Sequence, residues 1–341
     1  MGAGILGYGV YVPRYRISSE EYKKAIGAFA RMVKEKAVAA YDEDAITMGV
    51  EAAVNAIKHA GIKSDQVDAL YFASTSPPYT EKLISSTVST ALNLNSKTRM
   101  IDMGSSTKAG ISALIACIDF ILSGQGSYGL MIASDCPLAR IGYGIEHGLG
   151  AGAAAYVISR DDVIAEFENA YSNSREVLGE RFRRSGEKFI SDLEIRGYEN
   201  AAFTELTTST INGLLSKLRV TPKDVNYLAI HQSDIRSTYR VAKTCGFTND
   251  QIAPGIVSSN IGDTGASTVL IGLAAILEKV KADERIIVVS YGSGAGSDAA
   301  SFRIKQTTRK RKNESMLRDY LINKEYIDFL SYLKIKKMIN T

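Results

Sequence analysis

The sequence predicts an α/β protein built from two similar halves. Strand-like runs alternate with helical runs along the chain, which is typical of α/β folds. Three of these runs recur in the same order, shifted by about 155 to 157 positions, and such a constant shift indicates a duplicated unit. The pairs are VDALYFAST (67–75) with VNYLAIHQS (225–233), GISALIACIDFILSG (110–124) with GASTVLIGLAAILEK (265–279), and YGLMIASD (128–135) with RIIVVSYG (285–292).

Each predicted half closes with one more strand, GAAAYVIS (152–159) in the first half and AASFRI (299–304) in the second. The helices 110–124 and 265–279 are apolar nearly all round, so they are expected to be buried back to back between two sheets. The expected N-terminal half spans 1–160, and the C-terminal half spans 161–304 and begins with a connecting segment. A single doubly wound sheet is the alternative arrangement.

The remaining residues, 305–341, are predicted to form a basic linker and an amphipathic C-terminal helix that docks on the body or on a partner. This tail carries a formal charge of +6. The whole chain carries +4, so residues 1–304 sum to −2. A near-neutral body gives little reason to expect nucleic-acid binding. The run RKRK (309–312) is read as a solvated linker.

Cysteine content and hydropathy place the protein in the cytoplasm. The three cysteines, Cys117, Cys136 and Cys245, are odd in number and form no CxxC pair, which argues for reduced thiols and against a zinc site. The start MGAGILGYGVYVPRYR lacks the basic region of a signal peptide. No window approaches the roughly 20 apolar residues of a membrane span.

A duplicated α/β unit also predicts where the site lies. Strand ends and helix starts from both halves are expected to converge on one crevice, which is where ligands bind in such folds. Five polar, small-residue stretches fall there: STSPPY (74–79), SSTKAG (105–110), HQSDIR (231–236), NIGDTGAS (260–267) and GSGAGSD (292–298). A literal GxGxxG match at Gly2 opens the chain without a preceding strand, so a nucleotide site is not predicted.

His231 is the strongest single candidate in this crevice. It follows the buried strand YLAI, and imidazole is the usual proton-transfer group near neutral pH. It is read either as a catalytic or substrate-polarising group or as a histidine satisfied in the core. Arg236 and Arg240 follow on one helical face, which is either a solvated surface or a contact for cofactor phosphates. His147, beside a glycine-rich loop, is a further candidate for lining the crevice.

Taken together, several stretches resemble the thiolase superfamily of acyl-CoA condensing proteins. The similarity spans the chain through GYGVYVPRYRI, DEDAITMGVEAA, KAG before the buried helix, SYGSGAGSDAASFRI and KEYIDFLSYLKIK. Among its branches the chain looks most like the short archaeal type of HMG-CoA synthase, with 3-oxoacyl carrier-protein synthase III more distant. The resemblance implies a five-layer fold, a homodimer and a coenzyme A thioester, of the acetyl-CoA or acetoacetyl-CoA class, as ligand.

The resemblance also assigns site residues. The family's nucleophilic cysteine stands directly before KAG, where this chain has Thr107, and its proton-handling glutamate corresponds to Thr75. His231 matches the histidine that polarises the acetoacetyl group, and Asp263 replaces an asparagine. By the same resemblance, CoA and the acyl group would be contacted by Arg236, Arg240 and Ser293.

These replacements leave two function classes. Because a threonine hydroxyl is a weak nucleophile and cannot replace a carboxylate base, the chain is expected to be a catalytically degenerate scaffolding or regulatory subunit. Such a subunit would assemble with a thiolase and a small zinc and OB-fold protein. The alternative is an active condensing enzyme or acyltransferase in which His231 and Asp263 form the working pair. Asp263 would then pair with His231 and raise its pKa.

Overall fold

The computed structural model describes residues 2–177, 180–192, 198–294, 296–305 and 316–339, except for the side chains of residues 198–200. The strands are β1 (Gly4–Tyr11), β2 (Tyr15–Ser18), β3 (Glu35–Val38), β4 (Ala69–Ala73), β5 (Arg99–Met103), β6 (Gly129–Asp135), β7 (Gly152–Ser159), β8 (Ala165–Asn173), β9 (Tyr227–Ile230), β10 (Arg285–Gly292), β11 (Gly296–Ile304) and β12 (Glu325–Tyr326). The helices are α1 (Ser19–Ile26), α2 (Ala45–Ala60), α3 (Ile84–Ala91), α4 (Ala109–Leu122), α5 (Tyr198–Leu218), α6 (Ile235–Thr244), α7 (Asn249–Ile252), α8 (Ser258–Ile261), α9 (Thr268–Leu277), α10 (Leu317–Ile322) and α11 (Phe329–Ile335).

Nine strands form one hydrogen-bonded set in the order β5-β4-β6-β7-β1-β8-β11-β10-β9. The duplicated runs occupy equivalent places, since β4 pairs in parallel with β6 and β9 pairs in parallel with β10. The two sheets expected from the sequence are therefore present, with one correction. They join edge to edge through a short antiparallel contact in which Gly4 pairs with Glu166 and Ile5 with Ala165.

Alternate residues of a strand belong to different apolar clusters, so the core is divided into layers. In β4, Tyr71 and Ala73 belong to a central apolar cluster, whereas Leu70 and Phe72 belong to a cluster on the opposite face that also contains α2. Successive strand residues point to opposite faces, so each sheet is covered by helices on both sides. The central cluster contains α4 and α9, and a third cluster contains α5 and α6. The predicted five-layer arrangement of two halves is confirmed.

The outer helix α2 begins and ends where its sequence directs. Asp44 precedes it, and its carboxylate accepts hydrogen bonds from the backbone N–H groups of Ile46 and Thr47, while Thr47 returns a contact to the backbone of Asp44. This reciprocal cap satisfies donors that a helix start otherwise leaves open. Gly61 ends the helix with φ of 71°, a left-handed conformation that suits glycine.

The C-terminal tail docks on the body, but it is not the single helix expected from its sequence. Two short helices, α10 and α11, flank β12, which adds a parallel strand to β2 in the order β12-β2-β3. Glu35 holds this strand in place, because it accepts hydrogen bonds from Lys324 at 2.7 Å and from Tyr326 at 2.5 Å. These two contacts need an extended backbone, which interrupts the helix. The basic run 309–312 lies outside the described residues.

A buried charge cluster fixes α11 and the loop before β7. Lys36 Nζ lies 2.7 Å from Glu146 Oε1, and Tyr22 and Tyr332 both donate to the same carboxylate. Burial lowers the pKa of Lys36 to about 8, although Glu146 acts in the opposite direction. His147 packs against Tyr22 with ring centroids 5.7 Å apart, and its buried Nε2 has no hydrogen-bond partner.

Within the ranges given above, none of the helices has the length and hydropathy that crossing a bilayer requires.

Candidate functional site

Thr107 lies in the tight turn between β5 and α4. Its side chain is buried, and Oγ1 donates a hydrogen bond of 2.7 Å to the main-chain oxygen of Tyr291 at the end of β10. Gly292 allows this close packing, because a Cβ there would lie 2.0 Å from Ser106 Oγ and 2.7 Å from the backbone nitrogen of Lys108. The end of one half's strand therefore lies directly against the helix start of the other half.

Thr75 lies after β4, and its surroundings are organised by Asp135, the last residue of β6. The Asp135 side chain is fully buried and accepts hydrogen bonds of 2.7–3.0 Å from backbone and hydroxyl donors. Thr75 donates twice, through its backbone N–H and through Oγ1. The other donors are Ser74 Oγ, Ser76 N, Ser76 Oγ and Ala266 N.

The start of α4 and the turn before α9 are in direct contact. Gly110 leaves room for this contact, because a Cβ there would lie 2.2 Å from the carbonyl oxygen of Ala266. The backbone N–H of Ala266 donates to Asp135 at 2.7 Å, which connects this turn to the Thr75 loop. The structure thus brings the Thr75 and Thr107 loops to the same junction between the halves, as the duplicated sequence predicts.

His231 lies directly after β9 with an exposure of 3%. Its ring lies 6.0 Å from the rings of Phe203 and Tyr291, and its Nδ1 has no hydrogen-bond partner. Burial lowers the pKa of His231, Asp263 raises it in part, and Arg181 lowers it further. The raised pKa expected from the sequence is therefore wrong, because the loss of hydration outweighs the nearby carboxylate.

Asp263 is buried in the turn before α9 and is bound mainly by its own segment. Oδ1 accepts hydrogen bonds from Thr268 Oγ1 at 2.7 Å and from the backbone N–H of Gly265 at 3.1 Å. Its second oxygen, Oδ2, lies 3.5 Å from Nη1 of Arg181. Asp263 is close enough to influence the pKa of His231, but no hydrogen bond joins the two side chains in this structure.

The remaining sequence candidates lie around this centre. Arg236 and Arg240 are exposed on α6, which begins after an Asp234 cap. Ser293 is half-buried in the turn after β10, and its main-chain oxygen lies 3.5 Å from Ser106 Oγ. The lysine of KAG, Lys108, forms an ion pair with Asp298 at 2.9 Å.

The cysteines do not replace a nucleophile at Thr107. Cys117 is fully buried within α4, where burial raises the pKa of its thiol, and Cys245 is buried beyond α6. Cys136 follows Asp135, and burial raises the pKa of its thiol to about 11. A thiol with a raised pKa provides little thiolate near neutral pH.

Sequence reasoning missed three residues of this site. Asp135 ends the parallel strand β6, so the strand-end rule that selected Thr75 and His231 also points to it. Arg181 and Glu180 lie in an irregular segment whose sequence has no periodicity to place it. Glu180 is buried, it accepts a hydrogen bond from the Tyr291 hydroxyl, and its Oε2 has no partner. Burial raises the pKa of Glu180.

The arrangement favours polarisation over nucleophilic attack. The proton of Thr107 Oγ1 is directed to an amide oxygen, which is not a base. The Asp135 oxygens that face Thr75 are occupied by six hydrogen bonds. His231, by contrast, has an unpartnered nitrogen that can accept or donate a proton.

Comparison with known proteins identifies the family. Residues 215–304 match the family model described as 3-oxoacyl-[acyl-carrier-protein] synthase III C terminal. The chain is 34% identical over 343 residues to hydroxymethylglutaryl-CoA synthase of Pyrococcus horikoshii, with 98% of this chain and 96% of that protein covered.

Two solved structures share the fold. MvaS in complex with 3-hydroxy-3-methylglutaryl coenzyme A has a TM-score of 0.90 at 19% identity, covering 98% of this chain and 92% of that one. HMG-CoA synthase complexed with CoA has a TM-score of 0.88 at 18% identity, covering 98% and 90%. The full-length sequence similarity, on a thiolase-like fold, shows that this chain belongs to the hydroxymethylglutaryl-CoA synthase family.

Proposed function

We propose that this protein binds a coenzyme A thioester in the crevice between its halves without running the family's cysteine-dependent acyl transfer, and that it serves as a scaffolding or regulatory subunit. One observation carries this proposal: at the position directly before KAG stands Thr107, whose hydroxyl donates to the carbonyl of Tyr291. A hydroxyl bound in this way directs its proton to a carbonyl oxygen, which does not activate it as a nucleophile.

The residue at the position matched to the family's glutamate also supports the absence of the family's reaction. At the position matched to the family's glutamate, Thr75 offers a hydroxyl that donates to Asp135. Removing a single general base typically lowers a rate by about 10²–10⁴-fold. With the thiol absent as well, the covalent route of the family has neither of its two reacting groups.

Binding of a CoA thioester is supported by relatives and by the surface of α6. One structural neighbour is described as holding HMG-CoA and another as holding CoA. Arg236 and Arg240 are exposed on α6, which follows His231, and guanidinium groups suit phosphate recognition. We therefore assign the phosphates of CoA to these two arginines and the acyl end to the side of Ser293, Thr107 and His231.

An active condensing enzyme or acyltransferase is the second candidate, and two observations favour it. The relatives that match along the full length are named hydroxymethylglutaryl-CoA synthase. In addition, His231 retains an unpartnered Nδ1 in a buried position. In this alternative His231 transfers the proton, and Asp263 acts electrostatically on His231. Thr107 accepts an acyl group only occasionally.

Mass spectrometry after incubation with acetyl-CoA separates the two candidates. For the scaffold we expect saturable binding of CoA by calorimetry, an unchanged intact mass and no condensation with acetoacetyl-CoA. An acetyl group on the peptide that contains Thr107, together with turnover, would establish the enzyme. Absence of any CoA binding would reject both.

Restoring the missing groups tests whether the crevice is otherwise intact. We expect the double variant Thr107→Cys, Thr75→Glu to gain acetylation on residue 107 and measurable condensation. Thr98→Cys is the matched control, because Thr98 is also buried and donates to a main-chain oxygen, that of Val67, away from the crevice. If both variants are acetylated equally, acetylation reflects thiol chemistry alone and the proposed geometry fails.

A scaffolding role also predicts that the chain assembles with itself and with other proteins. We propose a homodimer that associates with a thiolase and a small zinc and OB-fold protein. Both dimer formation and association with the partners can be measured by size-exclusion chromatography with light scattering. The purified chain is run alone and mixed with such proteins from the same source. A monomer that elutes unchanged in every mixture would contradict the scaffold.

A further inference from the structure

Arg181 extends across the crevice from the irregular segment before α5. Its Nη2 lies 3.4 Å from Thr75 Oγ1 in the N-terminal half, and its Nη1 lies 3.5 Å from Asp263 Oδ2 in the C-terminal half. Both distances are long for hydrogen bonds, which are usually 2.7–3.2 Å for nitrogen donors. The guanidinium is therefore positioned by two weak contacts, and its side chain is only 17% exposed.

A second guanidinium approaches the same loop. Arg183 Nη2 donates to the main-chain oxygen of Thr75 at 3.2 Å, and its side chain is exposed. Arg181 and Arg183 are two residues apart, and Phe182 between them makes a bridge with Ser191. Two positive groups thus meet at Thr75, the position where the family carries a glutamate.

The carboxylates near this pair leave the donors of Arg181 incompletely bonded. Asp263 is the one carboxylate in ion-pair contact with Arg181 among the residues that the structure describes. Asp135 accepts its hydrogen bonds from hydroxyl and backbone donors, and Glu180 binds the Tyr291 hydroxyl. Asp298 is paired with Lys108. Because neutral donors leave the negative charge of Asp135 in place, what Arg181 offers a ligand is unfilled hydrogen-bond geometry and not an excess of positive charge.

We propose that Arg181 recognises a carboxylate on the acyl chain of the bound thioester, so that the crevice selects carboxyacyl-CoA over uncharged acyl-CoA. This inference rests on the proposed CoA site and names its substrate class. Asp263 is the counter-ion of Arg181 in the unliganded protein. The incoming carboxylate takes the stronger, bidentate position on the guanidinium, with Arg183 at the outer edge.

The chemistry of the guanidinium supports this ligand. Arginine presents a planar set of N–H donors that matches the two oxygens of a carboxylate, and such bidentate pairs are among the strongest hydrogen bonds in proteins. An acetyl group offers one neutral carbonyl oxygen, which would leave a largely buried cation poorly paired. A carboxylate would satisfy both its charge and its geometry.

Malonyl-CoA and acetoacetyl-CoA form the sharpest pair of probes, because they are close in size and differ by a carboxylate in place of an acetyl group. By titration calorimetry at fixed ionic strength we expect malonyl-CoA to bind at least about tenfold more tightly. Arg181→Gln should remove this preference, and a parallel titration with free CoA measures what remains of the site. Asp263→Asn should increase the preference, because it removes the competing counter-ion.

Arg184→Gln is the matched control. Arg184 lies three positions from Arg181 on the same segment, is exposed, and pairs with Glu187 at 3.7 Å outside the crevice. We expect it to bind both thioesters as the unmodified protein does. Thermal melting of each variant shows whether it is folded, and Arg181→Lys, which retains the charge, provides a second reading if Arg181→Gln is unstable.

The outcomes distinguish a failure of the carboxylate preference from a failure of the proposed CoA site. Equal affinities for malonyl-CoA and acetoacetyl-CoA in the unmodified protein would overturn the inference and leave the CoA site standing. A preference that survives Arg181→Gln would also overturn it. If CoA and both thioesters fail to bind, the proposed function is wrong and this inference falls with it.

Discussion

The two halves of the molecule bring equivalent strand ends to one crevice but treat their polar groups differently. In the N-terminal half, Ser74, Thr75 and Ser76 direct their hydroxyls to one carboxylate, Asp135. In the C-terminal half, His231 Nδ1 and Glu180 Oε2 are buried without hydrogen-bond partners. The Thr75 loop therefore carries a closed polar network around Asp135, whereas the surroundings of Tyr291 carry open polar groups. Elsewhere in the N-terminal half, Ser134 Oγ and His147 Nε2 are also buried without partners.

This local difference indicates which side of the crevice has polar groups left for a ligand. Buried polar groups without partners cost stability, so one that lies inside the crevice is a candidate contact for a ligand. A fully paired network, by contrast, positions loops and has little capacity left for bonding a substrate. We therefore expect ligand chemistry to depend on His231 and its neighbours, and the fold of the crevice to depend on Asp135.

The largest effect is expected from Asp135→Ala. Its six hydrogen bonds come from buried or half-buried donors, several of which would lose their partner, and each unsatisfied buried group costs about 1–3 kcal/mol. We expect a loss of at least about 3 kcal/mol in urea unfolding. Asp135→Asn, which retains an acceptor oxygen, should lose less, and exposed Asp65→Ala should stay within about 0.5 kcal/mol. A loss below 1 kcal/mol for Asp135→Ala would contradict the network.

Gly110→Ala is expected to have the second largest effect. The added Cβ would overlap the carbonyl of Ala266 and separate the central helices of the two halves. Overpacking of this kind costs about 1–3 kcal/mol. Gly144→Ala is the matched control, because its Cβ would meet nothing within 4 Å. Equal melting temperatures for the two variants would show that the halves do not meet as described.

Titration of His231 should give an intermediate effect. Because burial lowers its pKa, the unfolded chain binds a proton more readily than the folded protein, and stability rises with pH up to about 6.5. Below that pH, stability should fall by up to about 1.4 kcal/mol per pH unit, and His231→Asn should flatten this slope. In NMR titrations, Asp263→Asn should lower the pKa of His231 further and Arg181→Gln should raise it. A pKa near 6.5 in all three proteins would contradict this electrostatic arrangement.

Thr75→Val should have the smallest effect. It removes one hydroxyl donor from Asp135 and a weak acceptor for Arg181, and it leaves the backbone N–H of residue 75 in place. We expect a loss of no more than about 1 kcal/mol in unfolding and no change in CoA affinity. If CoA binding falls strongly while stability does not, Thr75 contacts the ligand and the N-terminal network is not purely structural.

Much of this fold could be predicted from the sequence because the duplication is visible in it. Apolar strands such as YLAI and the two buried helices have lengths and compositions that leave little choice of structure. The structure of the tail is harder to predict from the sequence, because β12 is only two residues long and depends on contacts of Lys324 and Tyr326 with Glu35. Such distant contacts override the helical pattern of its sequence.

The candidate site was predictable where its residues end regular strands. His231 and Asp135 both follow this rule, and Thr75 lies just after β4. Arg181 and Glu180 could not be placed in the same way. They come from an irregular segment without periodicity, and their positions depend on contacts with Thr75, Asp263 and Tyr291, which lie far away in the sequence.

The strand β12 comes late in the chain but covers the edge of a strand near its start. Its backbone pairs with β2, so the N–H of Glu325 donates to the carbonyl of Arg14 and that of Ile327 to the carbonyl of Arg16. Translation proceeds from the N-terminus, and β2 therefore leaves the ribosome long before the strand that covers its edge. Nascent chains stalled before residue 325 should leave the outer edge of β2 open to chaperones, and release of the completed chain should close that edge.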